Sequence, residues 1–441
     1  MKRLLSLLLC AVLALFCATT AQAAGVSITL TASEYALHYA FDAGAQDPFV
    51  ILEYATPAEK GWMMLYSEDG HFEGDVSLAY SGAGGKTSVA LTSARTTGSI
   101  GKASTTLPKA ADYQKPTGKS NAKVMDFVLT ETPEGFHYAF NAAGTDYMLL
   151  YWRSKEQTVT QPVYPDENGH YEGDVISDLT FARTQFTVQV KSGSGSMKKE
   201  ATVRKGYQAP EAPQRQEGRL SGVTVCIDAG HQENGRFVNE PIGPGLSGST
   251  SGKGGMAQGT KTNRRESIVC LEIGMLLRDE LLRQGANVVM TREDQTTFHT
   301  NIERCEIAEA GGAQMMLRLH CNNSSNRSKR GIQVYGPLNS DYAKAVADAD
   351  TYREMGQKLL DAMKTRVGMT LANSTGMVRL NDNYVGNNWA KMMCFLVEMG
   401  YLSNPAEEYL LVTPVYQQWL AEGMADGVYE IAVARGWVQA Q

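Results

Sequence analysis

The feature that most constrains the fold of this chain is an internal repeat. His38-Tyr39-Ala40-Phe41 recurs as His137-Tyr138-Ala139-Phe140, and Gly70-His71-Phe72-Glu73-Gly74-Asp75-Val76 recurs as Gly169-His170-Tyr171-Glu172-Gly173-Asp174-Val175. Both matches keep one offset, 99 positions, so a whole domain was duplicated without a relative insertion between the two blocks. Within each copy, short alternating runs such as Val26–Leu30, Leu37–Phe41 and Val50–Tyr54 read as strands. Turn dipeptides Asp69-Gly70 and Asn168-Gly169 punctuate them, the cadence of a β-sandwich. The expectation is two tandem Ig-like β-sandwich repeats, over residues 24–105 and 123–205. His71 and His170 sit at equivalent turns beside Glu and Asp; an inherited hairpin turn explains them more simply than a metal site.

Segments rich in Gly, Ser, Thr and Lys separate the pieces. Thr96–Ser120 reads as the joining stretch, with the linker proper at 106–122, and Gly206–Gly218 leads into the last third, with its linker at 206–219. From Leu220 the pattern changes. Apolar runs Val223–Ile227, Ala286–Met290, Met315–Leu319, Ile332–Tyr335 and Cys394–Val397 alternate with helical stretches Glu266–Gln284, Asn301–Ala310, Asp341–Val367 and Pro414–Arg435. Near-continuous apolar strands between helices predict an α/β domain over 220–441, with a mostly parallel twisted sheet flanked by helices.

The N-terminus assigns a compartment. Lys2 and Arg3, an apolar stretch from Leu4 to Cys17, and Ala21-Gln22-Ala23 have the pattern of a secretory signal peptide over residues 1–23. Its apolar run is shorter than the ~20 residues a membrane span needs, and no later segment is apolar enough for a span. The mature chain is therefore expected outside the cytoplasm. Its formal charge of −6 becomes −8 once Lys2 and Arg3 leave. That argues against a nucleic-acid binder, which normally carries a basic face, and it denies the chain bulk attraction to anionic wall polymers. Of seven cysteines, five remain after the leader: Cys226, Cys270, Cys305, Cys321 and Cys394. An odd number without regular spacing predicts no structural disulfide.

In open α/β sheets the site lies outside the strand C-termini. The first apolar strand ends in Asp228-Ala229-Gly230-His231, and the glycine is expected to let the backbone turn so that the imidazole projects inward. The third ends in His320, Glu266 opens a helix, and the last runs into Glu398-Met399-Gly400. Two histidines and a carboxylate with one position open to water form a catalytic zinc arrangement. Each residue also has a plainer role: a hydrogen-bonded histidine, an acid complementing a helix dipole, an exposed acid beside a turn. His299, among threonines, is expected on the surface.

These residues resemble the zinc-dependent N-acetylmuramoyl-L-alanine amidases of bacterial cell-wall turnover. The likeness runs from about Val223 to Gly436. It is carried, in order, by Ile227-Asp228-Ala229-Gly230-His231; by Glu266 and the helix leading to Gly285-Ala286-Asn287-Val288-Val289-Met290-Thr291-Arg292; by Arg318-Leu319-His320-Cys321-Asn322; and by Val397-Glu398-Met399-Gly400-Tyr401-Leu402-Ser403-Asn404-Pro405. The resemblance implies that His231, Glu266 and His320 bind one Zn2+ and that Glu398 is the catalytic acid/base. It implies peptidoglycan as substrate and an extracytoplasmic, cell-wall-associated place of action; the β repeats, outside the likeness, read as adhesive or spacer modules that hold the enzyme on the envelope. Two rivals stand beside it: an inactive muropeptide-binding domain, and a zinc peptidase cutting within the stem peptide. The chain departs from the pattern in a long Gly/Ser/Thr-rich segment, Gln232–Arg265, read as a cleft wall or lid. Arg264 and Arg265, directly before Glu266, would compete for its charge unless they point away. Ser403–Glu408 reads as a helix start that fixes the loop after Glu398.

Overall fold

The computed structural model describes the chain apart from residues 1–18, 23–24, 121, 133–134, 155–156, 177–184, 205–208, 233–237, 251–254, 263, 369–376 and 441. The leader assigned to residues 1–23 thus lies outside the described residues, except for Thr19–Gln22. The chain divides into two compact units, 1–206 and 207–441. Among the described residues no helix is long and apolar enough to cross a membrane.

The first unit is all β. Its first copy forms β1 (Thr19–Gln22), β2 (Ser27–Ala32), β3 (Ala36–Asp42), β4 (Phe49–Ala55), β5 (Glu59–Tyr66), β6 (His71–Ser77), β7 (Gly85–Ser93) and β8 (Ser99–Leu107). Its second copy forms β9 (Val124–Thr132), β10 (Gly135–Ala142), β11 (Met148–Arg153), β12 (Gln157–Val163), β13 (His170–Ile176), β14 (Gln185–Lys191) and β15 (Met197–Arg204). In copy one, β3 alternates strictly, so Leu37, Tyr39 and Phe41 turn inward to meet Val50, Leu52, Val89 and Leu91 from the facing sheet. Copy two repeats this with Phe136, Tyr138 and Phe140 against Leu150, Trp152, Val188 and Val190.

Two expectations for this unit change. The stretch read as a joining segment from Thr96 contains β8, whose Gly101, Ala103, Thr105 and Leu107 face inward while Lys102, Ser104 and Thr106 face out. Small and hydroxyl side chains gave it the composition of a linker, but its period of two is a strand's. The copies also do not close separately. The facing sheets fuse into one eight-stranded sheet, β15-β14-β11-β12-β5-β4-β7-β8, through an antiparallel pairing of β12 on β5. Glu59 is buried at this join, where its carboxylate accepts from Tyr80 N, Ser81 Oγ and Gln157 Nε2.

The second unit holds β16 (Thr224–Ala229), α1 (Glu266–Arg283), β17 (Asn287–Met290), α2 (Asn301–Ala310), β18 (Met315–Asn322), β19 (Gln333–Gly336), α3 (Asp341–Val346), α4 (Ala349–Val367), β20 (Met377–Leu380), α5 (Val385–Trp389), β21 (Met393–Tyr401), α6 (Glu407–Leu411) and α7 (Pro414–Ala434). The sheet order is β17-β16-β18-β21-β19-β20. It is mixed: β19 runs antiparallel to β21, and the other neighbouring pairs are parallel. Both faces are covered, as the apolar strands require. Cys226, Met316 and Cys394 pack with Cys305 and Ala308 of α2. On alternate positions, Ile227 and Leu319 lie against Gly274 of α1, and Phe395 against Tyr352 of α4. All five cysteines are buried and free.

The stretch read as one helix, Asp341–Val367, is two. Ala347 is extended, and the Asp348 side chain accepts from Thr351 N, capping α4 as a new start. A short strand, β20, and a single-turn helix, α5, carry too little periodicity to be read from sequence.

Candidate metal centre

The strand order makes the site. β16 and β18 are neighbours, so their C-terminal ends bring His231 and His320 together, with ring centroids 4.9 Å apart. β18 and β21 are also neighbours, and their register sets His320 beside Glu398. Glu266 enters from the first turn of α1, almost wholly buried. Its Oε1 lies 2.9 Å from His320 Nδ1 and 3.2 Å from His231 Nε2, and it accepts from Cys321 N at 3.0 Å. Its Oε2 accepts from Ala257 N at 2.7 Å. The four residues expected at the site therefore line one cavity of about 970 Å³.

The donor set fits a small divalent cation. Ligand atoms of His231, Glu266 and His320 all lie within 4.8 Å of one another. Neighbouring ligands of a tetrahedral ion with bonds near 2.0–2.1 Å are about 3.3 Å apart, the range in which this oxygen stands from the two ring nitrogens. Burial works against the charge of Glu266, but the hydrogen bonds and charge of His231 and His320 outweigh it and hold the carboxyl below the usual range. Burial lowers His320, against the pull of Glu266, a shift that favours the neutral ring able to ligate. Its Nε2 is buried without a hydrogen-bond partner, as is Glu398 Oε2. Burial and the nearby Glu266 carboxylate raise the Glu398 carboxyl well above the ordinary range.

His231 occupies a left-handed backbone conformation, φ +57°. Gly230, expected to supply the turn, has no positive φ. It is needed for space, because a Cβ there would stand 2.4 Å from Leu319 O and 2.6 Å from His320 Cε1. Such a conformation costs a non-glycine residue of order 1–3 kcal/mol and persists only where the surroundings enforce it. Here a buried lattice of arginines does so. Arg292 donates to Ala229 O and Gly230 O, and Arg304 donates to Ala229 O and His231 O. Asp228 anchors the lattice, taking Arg304, Arg318 Nε at 2.9 Å and Thr291 Oγ1 at 2.8 Å. Full burial opposes its charge, and the two guanidiniums overcome that, keeping Asp228 an anion. These residues were missed as site residues, although an arginine inside the apolar run of β18 is an audible signal.

The remaining expectations resolve geometrically. Arg264 turns away from Glu266 and pairs with Glu272. The described part of the 232–265 segment is a wall. Val238, Glu240, Thr250, Met256 and Ala257 line the cavity, and Glu240 accepts from Asn301 N and Ile302 N at the start of α2. His299 is half-buried on the cavity wall, not on open surface. Glu407 does fix the loop after Glu398, accepting from Tyr401 N and Gly331 N, each at 2.7 Å. Glu408 accepts from Thr260 Oγ1, Lys261 N and Thr262 N, tying down the turn that follows Ala257.

The C-terminal domain is similar to known proteins. Residues 225–430 match the family described as N-acetylmuramoyl-L-alanine amidase. The chain is 26% identical over 231 residues to the germination-specific N-acetylmuramoyl-L-alanine amidase of Bacillus subtilis, covering 49% of this chain and 83% of that one. It is 27% identical over 218 residues to the probable cell wall amidase LytH of Staphylococcus aureus, covering 48% of this chain and 60% of the relative. Among solved structures, the N-acetylmuramoyl-L-alanine amidase of Clostridium difficile 630 matches at 25% identity and a TM-score of 0.38, over 48% of this chain and 96% of that one. None of these matches spans more than about half of the chain. By its sequence blocks and this match, the C-terminal domain belongs to the N-acetylmuramoyl-L-alanine amidase family.

Proposed function

We propose that the C-terminal domain hydrolyses the amide joining N-acetylmuramic acid to L-alanine in peptidoglycan, with zinc on His231, Glu266 and His320 and with Glu398 as acid/base. The observation that carries this reading is the Glu398 carboxylate, its Oε2 buried and unpartnered, set in register beside His320 at the three-donor cluster. An amide resists attack because resonance delocalises its nitrogen lone pair. A zinc ion at this cluster would polarise the carbonyl oxygen and bring a bound water's pKa towards ~7.

The chain's own residues do the rest. Glu266 stays ionised and is pinned through both oxygens, so it cannot swing out of the cluster. Glu398 Oε2 is free to accept a proton from the attacking water and to return it to the departing alanine nitrogen. Its position beside His320 at the cluster suits it to both halves of that cycle. The arginine lattice holds His231 in its strained pose throughout. On the same reading the chain is exported through the leader at 1–23 and acts at the cell wall, where the repeats hold it on the envelope.

The test is digestion of purified peptidoglycan with fragment analysis by mass spectrometry. Wild type is expected to release intact stem peptides with free L-alanine amino termini, leaving glycan strands bare. E398Q is expected to lose about 10²–10⁴-fold in rate while its zinc content, measured by elemental analysis, is unchanged. Full turnover by E398Q, or cuts confined to the stem peptide, would sink the proposal.

A further inference from the structure

Beside Glu398 the cavity holds polar groups that the hydrolysis described above does not use. β19 runs antiparallel to β21 and sets Gln333 opposite Glu398 and Tyr335 opposite Leu396, so these four side chains share one face of the sheet. Tyr384, the residue before α5, lays its ring against Tyr335, with centroids 5.0 Å apart. It lines the same cavity as Glu398.

These groups form a hydrogen-bonded chain whose direction is fixed at one end. The backbone N–H of Asn323 can only donate, and Asn322 Oδ1 accepts from it at 2.8 Å. Asn322 therefore turns its Nδ2 to Gln333, donating to Oε1 at 3.1 Å. Tyr335 Oη donates to the same oxygen at 2.6 Å. The single proton of Tyr335 is thus committed, so in its hydrogen bond with Tyr384 it accepts and Tyr384 donates. The Tyr384 proton points at Tyr335, and its oxygen keeps lone pairs for the cavity. Burial, then the neighbouring Tyr335 and Glu398, raises the Tyr384 phenol, so it is a neutral acceptor and not a base. Two stacked phenylalanines would pack this corner as well. What the hydroxyls add is an acceptor of defined direction.

The reaction has a use for one. Hydrolysis breaks the bond between the lactyl carbonyl carbon and the alanine nitrogen. The electron pair of that bond goes to the nitrogen, and Glu398 supplies the proton that completes the amine. Throughout, the nitrogen keeps its own hydrogen, which needs a partner while the lone pair turns towards Glu398. An acceptor beside Glu398 meets both demands, because holding the N–H on one side aims the lone pair to the other.

Resting on the amidase reading, we propose that Tyr384 Oη accepts the hydrogen bond of the alanine N–H in the scissile amide. Tyr335, Gln333 and Asn322 are positioning residues that keep its lone pairs turned to substrate. The site therefore selects for a scissile nitrogen that carries a hydrogen, and N-methylalanine at the first stem position is a poor substrate.

The experiment compares two soluble substrates on the full, zinc-loaded chain: a muramoyl pentapeptide, and its ester counterpart with L-lactate in place of L-alanine, where oxygen replaces the scissile N–H. On the amide, Y384F is expected to lose about 10–100-fold in kcat/KM, chiefly in kcat, because the bond tightens as the nitrogen turns. Its zinc content and melting temperature should match wild type. On the ester, Y384F should equal wild type within error. Y335F, which frees the Tyr384 proton to turn into the cavity, should show a smaller loss on the amide and none on the ester. A wild type that cuts the amide and spares the more reactive ester also supports the proposal. Wild-type rates for Y384F on the amide overturn it, as does an equal loss on both substrates, which is what a merely structural hydroxyl would give. A wild type that leaves the muramoyl–alanine bond intact and cuts within the stem peptide overturns the amidase reading itself, and this proposal with it.

Discussion

The two units each bring two histidines to one glutamate, and the contrast between them lies in what surrounds the carboxylate. In the α/β domain one oxygen of Glu266 serves both rings, and its side chain is 3% exposed. In the β repeats His38 and His71 lie at different oxygens of Glu73, as His137 and His170 do at Glu172, and both glutamates are about 60% exposed. The same residue types thus yield a preformed pocket in one unit and an open ladder in the other. Burial makes the difference: with little water to solvate them, charges must be arranged by partners, and those partners fix geometry.

That comparison can be broken by removing partners. Replacing Asp228 with alanine leaves Arg304 and Arg318 buried without their counter-charge, which is expected to cost about 3–5 kcal/mol of stability. It should also weaken zinc binding by releasing the His231 loop. Denaturant unfolding checks the first effect and metal titration the second. A loss below about 1 kcal/mol would mean that water reaches the lattice.

A smaller effect concerns pH. Burial, against the backbone donors of Tyr401 and Gly331, raises Glu407 from 4.5 to about 7. A carboxyl whose folded pKa is raised binds its proton more readily in the folded state. Its contribution is therefore full below about pH 4.5 and is lost as pH rises through about 7. A shift of that size corresponds to about 3 kcal/mol. The stability of wild type relative to E407Q should fall by up to that amount between pH 4.5 and 8. A difference flat across that range in paired denaturant melts would refute the assignment.

The smallest effect belongs to the ladder. Asp75→Asn, which removes the carboxylate beside His38 Nδ1, should leave the unfolding midpoint of the β unit unchanged within error, because exposed ion pairs contribute little. A clear drop would show that the ladder is structural, and would narrow the contrast between the units.

Much of this was legible in sequence because it is local. The period of two in Leu37–Phe41, the apolar run before His320 and the helical run Asn301–Ala310 each report a backbone state through neighbouring residues. Glu266 could be placed at a helix start on the same grounds. Other features were not legible. β8 was obscured by serine, threonine and glycine, which pack as strand residues only because β7 lies alongside. Arg264 looked like a competitor for Glu266 because its partner, Glu272, is decided by how the chain enters α1. The strain at His231 depends on Arg304, which lies 73 positions away.

The sequence alone determined the duplication, the change from a β unit to an α/β unit, and the four polar residues standing at strand or helix ends. Tertiary structure decided that β16, β18 and β21 are adjacent, that one carboxylate oxygen lies between two rings, and that Glu398 stands beside them with its Oε2 buried. The physical reason is range. Periodicity and turn chemistry act over a few residues, whereas charge state and ligand geometry depend on groups that meet only once the sheet has formed.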